Sequence, residues 1–187
     1  MFKKAKLLIL VIMISLFGNK VSGNYEQIAY DFNFLGIDGN EISLSKYKGN
    51  VIIIVNVASQ CGFTKQYDDM QKIWEEYKEK KVVMIGVPSN DFGQQEPGSS
   101  SEIKSFCEAK FGITFQMMEK ARVKGDEAHP FYIWAKKNYG RSAIPKWNFH
   151  KIIINKEGKI ADTFSSITNP SSNKFRKSLD KLINLDF

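Results

Sequence analysis

Cys61 and Cys107 are the only cysteines among 187 residues, and only two histidines, His129 and His150, accompany them. That set matches no common metal-ligand spacing. Cys61 opens the run Cys61-Gly62-Phe63-Thr64. A dithiol exchanger needs Cys-x-x-Cys; here Thr64 stands in the second place, so local dithiol exchange is excluded at this motif. Attack by one thiolate on an oxidant is not. The alternative is a structural disulfide between the two cysteines, which an oxidising compartment permits.

The elements around Cys61 decide how exposed and how reactive it is. Residues 51–58 are apolar except Asn56, too continuously so for a half-exposed strand. They read as a central strand covered on both faces. After Cys61, Tyr67, Met70, Trp74 and Tyr77 recur at helical spacing, and the helix is expected to end near Lys80. A second buried strand follows at 82–87, then a loop over 88–98 rich in Gly, Pro, Asn and Gln. Ser99-Ser100-Ser101-Glu102 opens another helix, with Ile103 and Phe106 setting its period and Cys107 inside it. A short strand is expected at 115–118, a helix at 130–138, a hairpin from strands 149–154 and 160–164, and an amphipathic helix over 170–185. Ahead of all these, 31–44 reads as a hairpin turning at Asp38-Gly39-Asn40.

This order predicts an α/β domain of thioredoxin-like fold: a central mixed β-sheet with helices on both faces and an N-terminal β-hairpin. In such sheets chemistry sits beyond the carboxyl ends of the parallel strands. Cys61 falls there, at the expected start of a helix, where free backbone N–H groups and the helix dipole favour an anionic sulfur.

Residues 1–23 read as a cleavable signal peptide: Lys3, Lys4 and Lys6, an apolar run over 7–17 interrupted only by Ser15, then Val21-Ser22-Gly23. The run is too short to span a bilayer. The expected mature unit is a single domain, 24–187, exported to the periplasm or secreted, with no stable membrane insertion after cleavage. The segment carries four of the 27 basic residues and none of the 20 acids, so its removal takes the net charge from +7 to +3. No basic stripe with interleaved aromatics remains, which argues against nucleic-acid binding.

The chain resembles the glutathione peroxidase family in three places. Asn56-Val57-Ala58-Ser59-Gln60-Cys61-Gly62-Phe63-Thr64 is similar to its nucleophile motif, with cysteine rather than selenocysteine. The run from Ser89 to Gly98 is similar to its second signature, and Lys146-Trp147-Asn148-Phe149 to its third. The resemblance implies a catalytic tetrad of Cys61, Gln95, Trp147 and Asn148. It implies a thiol peroxidase for hydrogen peroxide and organic or lipid hydroperoxides, without a cofactor. The chemistry is coherent: a Cys61 thiolate attacks a peroxide oxygen and becomes a sulfenic acid, while two amides and an indole supply uncharged N–H donors.

By the same resemblance Cys107 stands where the thioredoxin-dependent branch keeps its resolving cysteine, giving a Cys61–Cys107 disulfide. A thioredoxin-like protein is then the expected reductant, with glutathione second. Since a disulfide needs Cα atoms about 4.4–6.8 Å apart, the helix carrying Cys107 is expected to unfold locally during turnover. Ser89 and Asp91 depart from residues common in relatives, and the short segment 128–144 lacks the insertion linked to tetramers in selenium-containing relatives, so the resemblance implies a monomer or a weak dimer. The competing readings are a peroxide sensor that passes oxidation to a partner protein, and a non-catalytic secreted domain with a structural disulfide.

Overall fold

The computed structural model describes residues 26–185; the export segment expected over 1–23 lies outside them. Five strands form the main sheet in the order β5-β4-β3-β6-β7. These are β3 (Val51–Val57), β4 (Val82–Pro88), β5 (Gln116–Met117), β6 (Lys151–Ile154) and β7 (Ile160–Phe164). The N-terminal hairpin pairs β1 (Asn33–Leu35) with β2 (Glu41–Ser43) in a separate two-stranded sheet. The fold is thioredoxin-like, as the order of elements predicts.

β3 is the centre. All seven of its residues are buried, and each fully buried Val or Ile contributes roughly 1.5–3 kcal/mol. It runs parallel to β4, Val51 opposite Val82 and Val57 opposite Pro88. On its other side β6 is antiparallel, with Lys151 opposite Val55. Alternate β3 side chains serve two cores. Val51, Ile53, Val55 and Val57 meet residues of α1 (Gln66–Tyr77), α2 (Ser100–Phe111) and α4 (Asn173–Ile183). Ile52 and Ile54 meet α3 (Pro130–Tyr139) and the hairpin residues Phe32, Phe34 and Ile42. Helices therefore cover both faces.

Three boundaries differ from those the sequence suggests, each for a local reason. α1 begins at Gln66, because the residues after Cys61 first form turns, with Thr64 N–H donating to Cys61 O at 3.0 Å and Gln66 N–H to Phe63 O at 2.8 Å. Cys61 thus precedes the helix by a turn instead of lying in its first turn. β6 begins at Lys151 rather than 149, because Phe149 holds a left-handed backbone (φ 63°) that breaks the strand. α4 starts after Ser172, whose side chain accepts from Phe175 N–H as the N-cap.

Candidate active site

The strand directions bring three loops to one end of the sheet. β3 and β4 both finish there, and antiparallel β6 starts there. The loops are the turn at 58–65, the loop at 89–98 and the segment 147–150. The first carries Cys61 of the expected tetrad, the second Gln95, and the third both Trp147 and Asn148.

Backbone and side-chain bonds fasten the loops together. Gln60 N–H donates to Gln95 O at 3.0 Å, and Ser59 N–H donates to the Glu96 carboxylate at 3.0 Å. Asn56, the one polar side chain of β3, grips the third loop: its Nδ2 donates to Trp147 O at 3.1 Å and its Oδ1 accepts from His150 N–H at 3.1 Å. Phe149 N–H donates to Asn56 O at 2.6 Å. The left-handed turn at Phe149 lets the chain make these bonds and then enter β6.

Cys61 is a buried free thiol. Its backbone N–H donates to Thr64 Oγ1 at 3.0 Å, and Thr64 in turn donates to Ala58 O at 2.9 Å. Thr64 therefore closes the turn at the place where a dithiol protein has its second cysteine. The Phe63 N–H points at Cys61 Sγ at 3.4 Å, so the turn itself supplies a donor to the sulfur.

Asn148 is fully buried, and its Nδ2 donates to Gln95 Oε1 at 3.0 Å. With its acceptor engaged, the Gln95 amide turns its two N–H groups the other way. Gly93 and Gln94 precede it with φ of 62° and 54°, a left-handed pair that costs backbone energy at a non-glycine residue. Trp147 is 40% exposed, its ring 5.8 Å from that of Phe92. Its indole N–H bonds to nothing among the described residues. The structure thus joins Gln95 to Asn148 directly, ties Gln95 through its backbone to Cys61's neighbour, and leaves Trp147 at the rim.

Cys107 lies in α2, 1% exposed. Burial is the main reason its thiol is pushed up to about 11; the nearby Tyr67 hydroxyl opposes this, and the Glu96 and Glu108 charges add to it. Burial likewise raises the Glu96 carboxyl above its ordinary value, offset in part by Ser59. Buried His150 is held down to about 4, so its ring is neutral at neutral pH. Among the described residues no group of three His, Cys, Asp or Glu side chains is placed to hold a metal.

Several residues of this end were not singled out from the sequence. Asn56 had a signal, being the lone polar residue in an apolar strand. Glu96 and Thr64 lay within the family-like motifs but outside the tetrad. Lys151 had none: it is fully buried, its Nζ donating to Gln66 Oε1 at 2.5 Å and to Thr168 O at 2.6 Å. Asp91, one of the departures, accepts from Val123 N–H at 2.6 Å and Lys124 N–H at 3.2 Å, fixing the far side of the 89–98 loop.

A buried thiol with a backbone N–H at its sulfur, in a loop cluster that carries two amides and an indole, suits attack on a neutral O–O bond, and the class this fold and site define is the thiol peroxidase. The chain belongs to the glutathione peroxidase family, matching it over residues 29–136. It is 40% identical over 149 residues to "Hydroperoxy fatty acid reductase gpx1" of Synechocystis sp., covering 75% of this chain and 88% of the relative. It is 41% identical over 144 residues to "Glutathione peroxidase-like peroxiredoxin gpx1" of Schizosaccharomyces pombe, covering 75% and 90%. The crystal structure of Trgpx in apo form superposes with a TM-score of 0.69 at 34% identity, covering 86% of this chain and 97% of the other.

Proposed function

We propose that Cys61 is the peroxidatic nucleophile of a two-cysteine cycle acting on hydrogen peroxide and organic or lipid hydroperoxides. The observation that carries this reading is the pair of bonds at Gln95, whose backbone O accepts from Gln60 N–H beside Cys61 and whose Oε1 accepts from Asn148 Nδ2, fastening the three loops together. The Cys61 thiolate attacks the terminal peroxide oxygen and the O–O bond breaks. Sulfur keeps that oxygen as sulfenic acid, and the departing alkoxide takes a proton and leaves as alcohol or water. Gln95, Asn148 and the Trp147 indole offer N–H groups to the charge that moves from sulfur to oxygen. None adds a fixed charge to repel an apolar hydroperoxide tail.

Cys107 resolves the sulfenic acid: its sulfur displaces the hydroxyl from Cys61 sulfur, water leaves and a disulfide forms. A thioredoxin-like dithiol protein then reduces the disulfide, with glutathione the second choice. The second buried thiol supports this order, as does the name peroxiredoxin borne by the fission-yeast relative. We read the mature chain as an exported monomer. No helix among the described residues is long and apolar enough to cross a membrane.

The test is a single turnover of the reduced mature chain with peroxide, followed by thiol counting and tryptophan fluorescence, beside Cys107→Ser. Loss of both thiols in the parent and a trappable sulfenic acid in the variant are expected. Oxidation no faster than that of a free cysteine would overturn the reading.

A further inference from the structure

The interface between α1 and α2 contains a polar defect. Tyr67, in the first turn of α1, is completely buried, and its hydroxyl has no hydrogen-bond partner of ordinary geometry. Its ring lies against Phe149 at 5.4 Å on one side and Phe111 at 5.2 Å on the other. Phe111 is four residues after Cys107, hence on the same face of α2. The Tyr67 ring therefore runs along the face of α2 that carries Cys107, and the two share one buried cluster in which hydroxyl and thiol shift each other's titration. The charges of buried Glu96 on the 89–98 loop and of exposed Glu108, next to Cys107 in α2, both oppose ionisation of the thiol. A thiol is a weak hydrogen-bond partner, so the hydroxyl loses its water and regains little.

We propose that Tyr67 is a positioning residue for the resolving step: its poorly paired buried hydroxyl makes the α1–α2 seam the weak joint along which α2 releases Cys107 to the oxidised Cys61. This rests on Cys107 being the resolving cysteine. When α2 is docked, the hydroxyl is buried without an adequate partner. When α2 opens, water satisfies it. The defect thus raises the free energy of the closed state only. The rest of the joint is well made: Ser99 and Glu102 form a reciprocal capping box at the start of α2, and Gln71 bonds both the hydroxyl and the N–H of Thr114 beyond its end. Opening is therefore set by the middle of the helix, where Tyr67 meets Cys107. The docked thiol is protonated and shielded, so release also precedes its reaction.

Tyr67→Phe keeps the ring and removes the defect. The experiment uses the full mature chain and follows three quantities: the fast phase of peroxide reaction, the later phase of disulfide formation, and hydrogen exchange of the α2 amides. The variant should oxidise Cys61 at the parental rate, form the disulfide about tenfold more slowly with longer-lived sulfenic acid, and exchange α2 amides about tenfold more slowly. Equal disulfide rates and equal α2 exchange in the two proteins would overturn the proposal, as would an equal slowing of both chemical phases. A parent that forms no Cys61–Cys107 disulfide would overturn the two-cysteine reading instead. The α2 exchange rates, which need no thiol chemistry, would then decide whether Tyr67 weakens the seam.

Discussion

Asn148 donates to Gln95 across two loops that are far apart in sequence, while its own Oδ1 stays buried without a partner. A buried amide half satisfied in this way is costly. The geometry makes sense if the pair is held for what it offers the sulfur.

Replacing either amide should therefore slow the chemical step more than it harms the fold. Gln95→Ala, on a half-exposed loop, is expected to lower the second-order rate of Cys61 oxidation by about 10²–10³, the usual loss for one oxyanion-type donor. Asn148→Ala should lower it at least as far, since it removes the Asn148 N–H groups and the bond that holds Gln95 in place. Stopped-flow peroxide titration of the reduced protein measures both; a change below threefold would remove the amides from the mechanism.

Trp147 separates chemistry from stability. It is the most exposed member of the tetrad. Trp147→Phe keeps ring contact with Phe92 but removes the indole N–H. We expect a rate loss of roughly 10²-fold with unfolding free energy within about 1 kcal/mol of the parent, measured by peroxide kinetics and urea denaturation.

The two thiols should differ in accessibility. Cys107 is buried and held protonated up to about pH 11. At pH 8 a small alkylating reagent should label Cys61 first, with Cys107 labelled only as α2 opens or the chain is denatured. Mass spectrometry of labelled peptides checks this; equal labelling of both would contradict the packing.

Lys151 gives a pH signature. Burial lowers its ammonium from 10.5 to about 7. Between pH 7 and 9 the unfolded chain holds its proton while the folded chain gives it up. The unfolded state then binds more protons, so stability rises with pH in that window. Cys107 works the other way near the top of the window: the unfolded thiol begins to ionise towards its ordinary value of 9.0 while the folded thiol, pushed up to about 11, keeps its proton, so it takes back a small part of the rise. Lys151→Met should abolish a rise of about 1–3 kcal/mol, read from urea unfolding at pH 7, 8 and 9.

The sequence reveals the elements that depend on local pattern. The uninterrupted apolar run identifies β3, helical spacing identifies α1, and Ser99 with Glu102 marks the start of α2. The family-like motifs name the four residues of the expected site, and the structure brings the loops that carry them to one end of the sheet, joining Gln95 to Asn148 directly. What the sequence hides depends on contacts made by distant parts of the chain. Lys151 lies in a run that the sequence marks only as strand; its burial depends on Gln66 and on Thr168 O, which come from elsewhere in the chain. Phe149 reads as the start of a strand, but the bonds from Asn56 hold it in a left-handed turn. The interval between Cys61 and α1 is hidden for a similar reason: Thr64 is an acceptable helix residue whose hydroxyl is claimed by Ala58 O instead.

The burial of β3 has a cost outside the native state. Val51–Val57 carries no charge and no proline, and only Asn56 interrupts its aliphatic side chains. An exposed segment of that composition is a template for intermolecular cross-β pairing. Its neighbours β4 and β6 come from later in the chain, and β6 is nearly a hundred residues away. During synthesis one edge of β3 therefore waits unpaired until β6 appears late in the chain. Aggregation in competition with folding is the expected failure of this protein, and a charge placed at Ile52 or Ile54 to prevent it would destroy the core it protects.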